Sequence, residues 1–201
     1  MNVVVIDYGA GNVSSVATAL RRLGVEATTT SDAAELAHAD RLILPGVGHC
    51  AALVNALDGQ GIRKPLVHAI SHGVPFLGVC LGLQALYETS DEAPDLAGLG
   101  LFKGKVTHLP ANIKLPHMGW NQLRPTRASV LLKNISPESY FYFAHTFAAP
   151  VGGPESTAVC NHGREFVAVL EDKNIFGVQF HPEKSGAPGA KLLENFLRQA
   201  A

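Results

Sequence analysis

Apolar positions fall into two regimes along the chain. In the first half, short continuous apolar runs alternate with stretches whose apolar residues recur three and four apart. Val3 to Asp7 is an unbroken run closed by an acid, the pattern of a strand buried on both faces. Gly9-Ala10-Gly11 follows as a turn, and Val13, Val16, Ala17 and Leu20 then keep helical spacing until Gly24, a helix stop. Glu26 to Thr30, Arg41 to Leu44 and Val74 to Val79 read as further strands. Ala51 to Leu57 and Pro65 to Ser71 read as helices between the last two, and Leu81 to Tyr87 as a helix opening directly after Val79. Such alternation predicts a mainly parallel sheet with helices on both faces.

The second half is richer in strands. Val106 to Leu109, Val130 to Leu132, Tyr140 to Phe143, Thr157 to Asn161, Phe166 to Leu170 and Ile175 to Gln179 are strand-like and separated by Gly, Pro and Asn turns. Ala190 to Gln199 closes the chain as an amphipathic helix with Leu192, Leu193, Phe196 and Leu197 on one side. No internal repeat or low-complexity segment interrupts the pattern. The expectation is one three-layer α/β domain over residues 1–201.

Composition narrows the function classes. Sixteen Lys and Arg against 17 Asp and Glu give a net charge of −1, too even for broad electrostatic capture of nucleic acid. No run of five like charges offers a membrane-binding tail. The longest apolar stretch, Val74 to Leu83, contains a proline and two glycines and is too short to cross a bilayer. Asn2 to Asp7 begins directly as a strand, without a basic leader or a small-residue cleavage site, which points to the cytoplasm. Cys50, Cys80 and Cys160 are odd in number and widely spaced, fitting neither a disulfide framework nor a CxxC metal site. Neither metal nor cofactor is called for. The cysteines then raise the question of a nucleophile.

Gly78-Val79-Cys80-Leu81-Gly82 is the strongest local signal. A strand of small apolar residues ends, one residue occupies the turn and a helix begins, as in a nucleophile elbow with cysteine at its tip. Flanking glycines suit a turn in which Cβ atoms would meet neighbouring backbone. A helix N-terminus beside the sulfur would favour thiolate. A free thiol is mostly protonated at neutral pH and needs a base. Among nine histidines, His181 in Gly177-Val178-Gln179-Phe180-His181-Pro182-Glu183 is the best placed, because it follows an apolar strand where site residues of α/β sheets gather. Glu183 is near enough to hold the other ring nitrogen, so Cys80, His181 and Glu183 have the nucleophile, base and orienter logic of a triad. Taken singly, each has a plain alternative: a small buried hydrophobe, a surface turn residue and a helix-start acid. Pro45-Gly46-Val47-Gly48 follows the third strand and can expose backbone N–H groups for an oxyanion, with the N–H of Leu81 as a second donor. By itself that loop would be read as a tight turn.

Two other patterns carry less. Gly9-Ala10-Gly11-Asn12-Val13-Ser14 imitates a dinucleotide fingerprint but ends in serine where a third glycine belongs. His68 and His72 have zinc-pair spacing without the glutamate of HExxH, so a solvated helix face is the better reading.

Val74-Pro75-Phe76-Leu77-Gly78-Val79-Cys80-Leu81-Gly82-Leu83-Gln84 followed by His181-Pro182-Glu183 resembles the class I (triad) glutamine amidotransferases. Asp7-Tyr8-Gly9-Ala10-Gly11-Asn12, Pro45-Gly46-Val47-Gly48, Pro116-His117-Met118-Gly119-Trp120-Asn121, Tyr142-Phe143-Ala144-His145-Thr146 and His181-Pro182-Glu183-Lys184-Ser185 sharpen the resemblance to the glutaminase subunits of imidazole glycerol phosphate synthase. The resemblance runs nearly end to end and implies a flavodoxin-like three-layer fold. It further implies that Cys80 attacks the glutamine amide, that Gly46, Val47, Gly48 and Leu81 stabilise the oxyanion, and that His181 and Glu183 complete the triad. Gly48, Gln84, Glu92, Tyr142, His145 and Thr146 match positions that hold glutamine. Asn12, Trp120, Asn121 and Lys184 match positions at or near a (β/α)₈-barrel cyclase subunit. That partner would receive ammonia in a heterodimer and make imidazole glycerol phosphate and an aminoimidazole carboxamide ribotide. Trp120, the only tryptophan, could equally be a core aromatic. His49-Cys50 and Phe147 depart from the family pattern, the first beside the oxyanion loop and the second where a tyrosine is common.

Other readings stand beside this one: a triad amidotransferase of the anthranilate or aminodeoxychorismate type, a non-catalytic assembly subunit, and a cysteine peptidase on a related scaffold.

Overall fold

Alternate residues of the first strand enter different cores. Val3 and Val5 pack in one cluster with Val13, Val16, Leu20, Leu192, Leu193 and Phe196, whereas Val4 and Ile6 pack in another with Leu53, Val54, Leu57, Leu66 and Ile70. A strand with apolar residues at every position can be stable only when both faces are covered. The protein is described by a computed structural model over residues 1–9 and 12–199. Ala10 and Gly11 of the expected glycine turn lie outside the described residues.

The first half comprises β1 (Val3–Ile6), α1 (Val13–Arg22), β2 (Ala27–Thr30), β3 (Arg41–Gly46), α2 (Cys50–Gly59), α3 (Arg63–Ser71), β4 (Phe76–Cys80) and α4 (Leu81–Gln84). The second half comprises β5 (Tyr87–Ser90), β6 (Phe102–His108), β7 (His117–Gln122), β8 (Arg124–Pro125), β9 (Tyr140–His145), β10 (Phe147–Ala148), β11 (Ser156–Asn161), β12 (Glu165–Asp172), β13 (Ile175–Val178) and α5 (Gly186–Leu197). An eight-stranded sheet runs β2-β1-β3-β4-β13-β12-β11-β8. Its β2-β1-β3-β4-β13 part is parallel, and β12, β11 and β8 extend it antiparallel. Helices α1 and α5 cover one face, α2 and α3 the other, as the three-layer expectation requires. β5, β6 and β10 form a small separate sheet, and β7 pairs with β9. No helix among the described residues is long and apolar enough to cross a membrane.

Two expected elements differ. The helix expected over Leu81 to Tyr87 is a single turn, because the following backbone is taken by another segment. Leu99 N donates to Ala85 O at 2.7 Å, Leu101 N to Leu86 O at 2.9 Å and Gly98 N to Glu88 O at 2.9 Å. Val130 to Leu132 is a turn and not a strand. Val130 N and Leu131 N donate to the Glu171 carboxylate at 3.1 and 2.9 Å, and Leu132 N donates to Ser129 Oγ at 2.9 Å. A nearly buried carboxylate gathering backbone donors thus replaces sheet pairing.

Candidate active site

Three neighbouring parallel strands end at one place. In the β3–β4 pairing Gly46 lies opposite Cys80, and in the β4–β13 pairing Val178 lies opposite Val79. The chain leaving β3 brings Val47 and Gly48, β4 ends on Cys80, and three residues beyond β13 comes His181. The carboxyl ends of parallel strands are where such folds place ligands.

Cys80 has φ 54° and ψ −106°, a backbone conformation that costs a non-glycine residue about 1–3 kcal/mol. The glycines around it permit the turn. A Cβ on Gly78 would stand 2.5 Å from Gly82 O, and one on Gly82 would stand 2.0 Å from Leu44 O. With α4 only one turn long, a helix macrodipole offers the sulfur little. The charge beside it is set by the imidazole. Burial alone would lower the pKa of His181, but hydrogen bonding and charge from Cys80 and Glu183 outweigh it and raise it well above the ordinary histidine value. Cys80 Sγ also lies 3.5 Å from Gln179 Nε2, which donates to it.

His181 Nδ1 is 2.9 Å from Glu183 Oε1, and the Glu183 side chain is fully buried. Pro182 to Lys184 form a short 3-10 turn that brings the carboxylate back beneath the ring. Ser185 Oγ donates to His181 O at 2.6 Å and accepts from Tyr142 N at 3.0 Å, which ties the turn to β9. Asn12 Nδ2 donates to the same Glu183 oxygen at 2.8 Å. Glu183 Oε2 is buried without a hydrogen-bond partner among the described residues.

A cavity of about 340 Å³ opens in front of these groups, within the ~300–1,000 Å³ usual for small-molecule sites. Cys80, His181, Gly46, Val47, Gly48, Leu81, Gln84, Glu92, His145, Thr146 and Lys184 all line it, so most of the residues singled out in the sequence meet there. Glu92 sits at its edge with Oε2 accepting from Cys50 N at 2.8 Å, an N-terminal amide of α2. The unusual His49 is accounted for as the cap of that helix, its Nδ1 accepting from Ala51 N at 3.1 Å. Phe147 lines the cavity, and its carbonyl accepts from Gln84 Nε2 at 2.7 Å and His145 Nδ1 at 2.9 Å.

His145 and Tyr142 are placed differently from the other expected glutamine contacts. His145 spends both ring nitrogens within the protein: Nδ1 donates to Phe147 O and Nε2 accepts from His117 Nδ1 at 3.0 Å. Burial pushes its pKa down to about 3 and that of His117 down to about 4, so both rings are neutral. Only its main chain and ring edge are left for a ligand. Tyr142 is outside the cavity lining. Its ring lies against Trp120 with centroids 5.9 Å apart, and Lys184 Nζ sits 5.8 Å from its ring centroid.

Trp120 is 56% exposed and Met118 65% exposed, which excludes the core-aromatic reading of Trp120. Asn121 is on the opposite face of β7, its Nδ2 donating to Asn161 O at 3.1 Å. His68 and His72 are exposed, with ring centroids 3.9 Å apart and planes tilted by 40°, consistent with a solvated helix face.

Sequence alone assigns no role to Gln179, His117 or Tyr8. Gln179 carried a usable signal: a polar residue inside the apolar run Val178-Gln179-Phe180, fully buried and so obliged to find partners. It accepts from Gln84 Nε2 at 3.0 Å as well as facing the sulfur.

Residues 4–200 match the family profile described as "Glutamine amidotransferase class-I". The chain is 44% identical to "Imidazole glycerol phosphate synthase subunit HisH" of Deinococcus radiodurans, covering 99% of this chain and 94% of the relative. The protein of the same name from Methanothermobacter thermautotrophicus is 45% identical over 97% of each chain. That from Xanthomonas axonopodis pv. citri is 46% identical over 99% of this chain and 98% of its own. A crystal structure described as glutamine amidotransferase superposes with TM-score 0.77 at 19% identity, covering 96% of each chain. A chain of PurLQS from Thermotoga maritima gives 0.77 at 20%, covering 98% of this chain and 97% of that one. These two support the fold, which is that of the class I amidotransferases. From the family profile and its full-length relatives together, the chain belongs to the class I glutamine amidotransferases and, within them, to the family of imidazole glycerol phosphate synthase subunit HisH.

Proposed function

We propose that the chain hydrolyses glutamine to glutamate and ammonia and hands the ammonia to a (β/α)₈ cyclase subunit in a heterodimer. The observation that carries this reading is the convergence of Cys80, the Val47 loop and His181, the last held by Glu183 from behind, on one cavity from three adjacent strands. Cys80 thiolate attacks the side-chain amide carbon, and the oxygen takes the charge. Leu81 N–H, in the first turn of a helix where no intrahelical bond uses it, is one donor to that oxygen, and the Gly46–Gly48 loop supplies the other. His181 gives its proton to the departing nitrogen, which leaves as ammonia with a thioester behind. A water then loses a proton to His181 as it attacks the thioester, releasing glutamate and restoring the thiol. Glu183 holds the ring and balances its charge. Glu92 suits the substrate ammonium, with Thr146 and the main chain at His145 beside it.

Trp120, Met118 and Lys184 form an exposed apolar and cationic patch at the cavity rim, the kind of surface that carries interface hot spots. Asn12 and Asn121 bond within this chain, so the partner contact rests on Trp120 and Lys184 before them. Activity of the isolated chain is low in this reading and rises on assembly.

Glutamate release is the test, measured with the chain alone and with the cyclase from the same source. Turnover abolished in Cys80→Ala, and binding weakened about 30-fold or more by Trp120→Ala, are expected. Equal rates with and without cyclase would remove the partner claim. Release that survives Cys80→Ala would remove the mechanism. Copurification with a chorismate-using protein would favour the anthranilate-type alternative.

A further inference from the structure

Tyr8 follows β1 and is 3% exposed, and the mechanism above gives it no task. Its hydroxyl donates to the carbonyl of Val47 at 3.0 Å and accepts from the N–H of the same residue at 3.1 Å. One side chain therefore occupies both main-chain polar groups at the centre of Pro45-Gly46-Val47-Gly48. That loop lies directly on the nucleophile turn, since a Cβ on Gly46 would be 2.6 Å from both Leu81 Cβ and Gly82 N. Val47 is also the hinge-like point of the loop: it stands between two glycines, and Gly48 has φ +96°, which only glycine adopts readily.

An N–H bonded to a phenol is not free to receive a developing oxyanion. A hydrogen bond to the charged oxygen is stronger than one to a neutral hydroxyl, so the exchange is favourable once the loop can turn. We propose that Tyr8 is a positioning residue that latches this loop, withholding the Val47 N–H from the reacting oxygen until the Tyr8–Val47 pair is released. The latch is a durable one. Burial pushes the phenol pKa up to about 12, so its proton stays in place at any pH where the enzyme works. The inference rests on the glutaminase reading of the site.

Tyr8→Phe keeps the ring and removes both hydrogen bonds. Glutamate release and labelling by a glutamine-derived diazoketone are compared in wild type, Tyr8→Phe and Cys80→Ala, all without partner. One oxyanion donor is worth ~10²–10³ in turnover, and a loop set free recovers part of this, about tenfold. The expected result is therefore faster release by Tyr8→Phe alone and a correspondingly smaller stimulation on adding the cyclase. Wild type that is labelled at Cys80, with Tyr8→Phe no faster, overturns the latch and leaves the glutaminase reading intact. Wild type that is not labelled even after the cyclase is added removes the reading beneath it. Should Tyr8→Phe fail to fold, the contact between the Val47 amide proton and the Tyr8 ring is followed by NMR in the wild-type chain. Its loss in the Cys80 diazoketone adduct supports the latch, and its persistence there overturns it.

Discussion

Asn12 Nδ2 and His181 Nδ1 donate to a single oxygen of Glu183, at 2.8 and 2.9 Å. Asn12 occupies the N-cap of α1, where asparagine ordinarily accepts from the helix backbone, yet its side chain makes no capping bond. It gives up that local role to fix the carboxylate oxygen that also holds the imidazole. Replacing it by alanine is expected to lower kcat roughly tenfold with KM nearly unchanged, because a less firmly held carboxylate orients the ring less well. Thermal stability should fall by about 1–3 kcal/mol, the worth of a hydrogen bond to a buried carboxylate, with no further loss from capping. Steady-state glutamate release and a melting curve separate the two effects.

Glu183→Gln tests how the imidazole is charged. Removing the carboxylate takes away one of the two groups that raise the His181 pKa, so the proton should leave the ring at lower pH than in wild type. In the alkylation of Cys80 followed against pH, the alkaline limit of the reactive ion pair should move downward. An unmoved limit would mean that Glu183 does not influence the charge on the ring.

Acid stability should depend on His117 and His145. The unfolded chain takes up protons on these rings near pH 6.5, but the folded chain holds them off until about 4 and about 3. Between those values the unfolded state binds more protons, so stability present above pH 6.5 is lost as the pH falls. The slope is up to about 1.4 kcal/mol per pH unit for each ring. His117→Gln should flatten the dependence in urea titrations between pH 6.5 and 4, even where it lowers stability at pH 7.

Gly82→Ala should be among the most damaging conservative changes in the chain. The new methyl would lie 2.0 Å from Leu44 O, which is backbone and has little room to yield. A loss of about 2–3 kcal/mol in chemical denaturation is expected. Gly59→Ala is the internal control, for nothing lies within 4 Å of its Cβ position at the end of α2. That change should be neutral or stabilising, by up to ~1 kcal/mol.

The parallel half of the sheet was legible because its signals are local. Runs such as Val3 to Ile6 need cover on both sides, and Gly78-Val79-Cys80-Leu81-Gly82 carries its turn geometry in its own glycines. The parts that sequence misjudged are set by distant partners. Residues after Gln84 have helical spacing but lose their carbonyls to Gly98, Leu99 and Leu101. Val130 to Leu132 has strand composition but finds a carboxylate instead of a neighbouring strand. The site followed the same rule. Cys80, His181 and Glu183 stand in recognisable local settings, whereas the Asn12–Glu183 and Tyr8–Val47 bonds join segments that nothing in the linear order relates. His145 shows the reverse case: a residue that lines the cavity but whose ring is already engaged by His117.

The position of β13 has a consequence for synthesis of the chain. It is inserted between β4 and β12, and the base and its carboxylate arrive immediately behind it. A nascent polypeptide ending before residue 175 would possess the sulfur and its turn but have an empty slot where the activating half must enter. On the glutaminase reading, deamidation therefore waits until the segment carrying His181 and Glu183 has been made and β13 has taken its place beside β4.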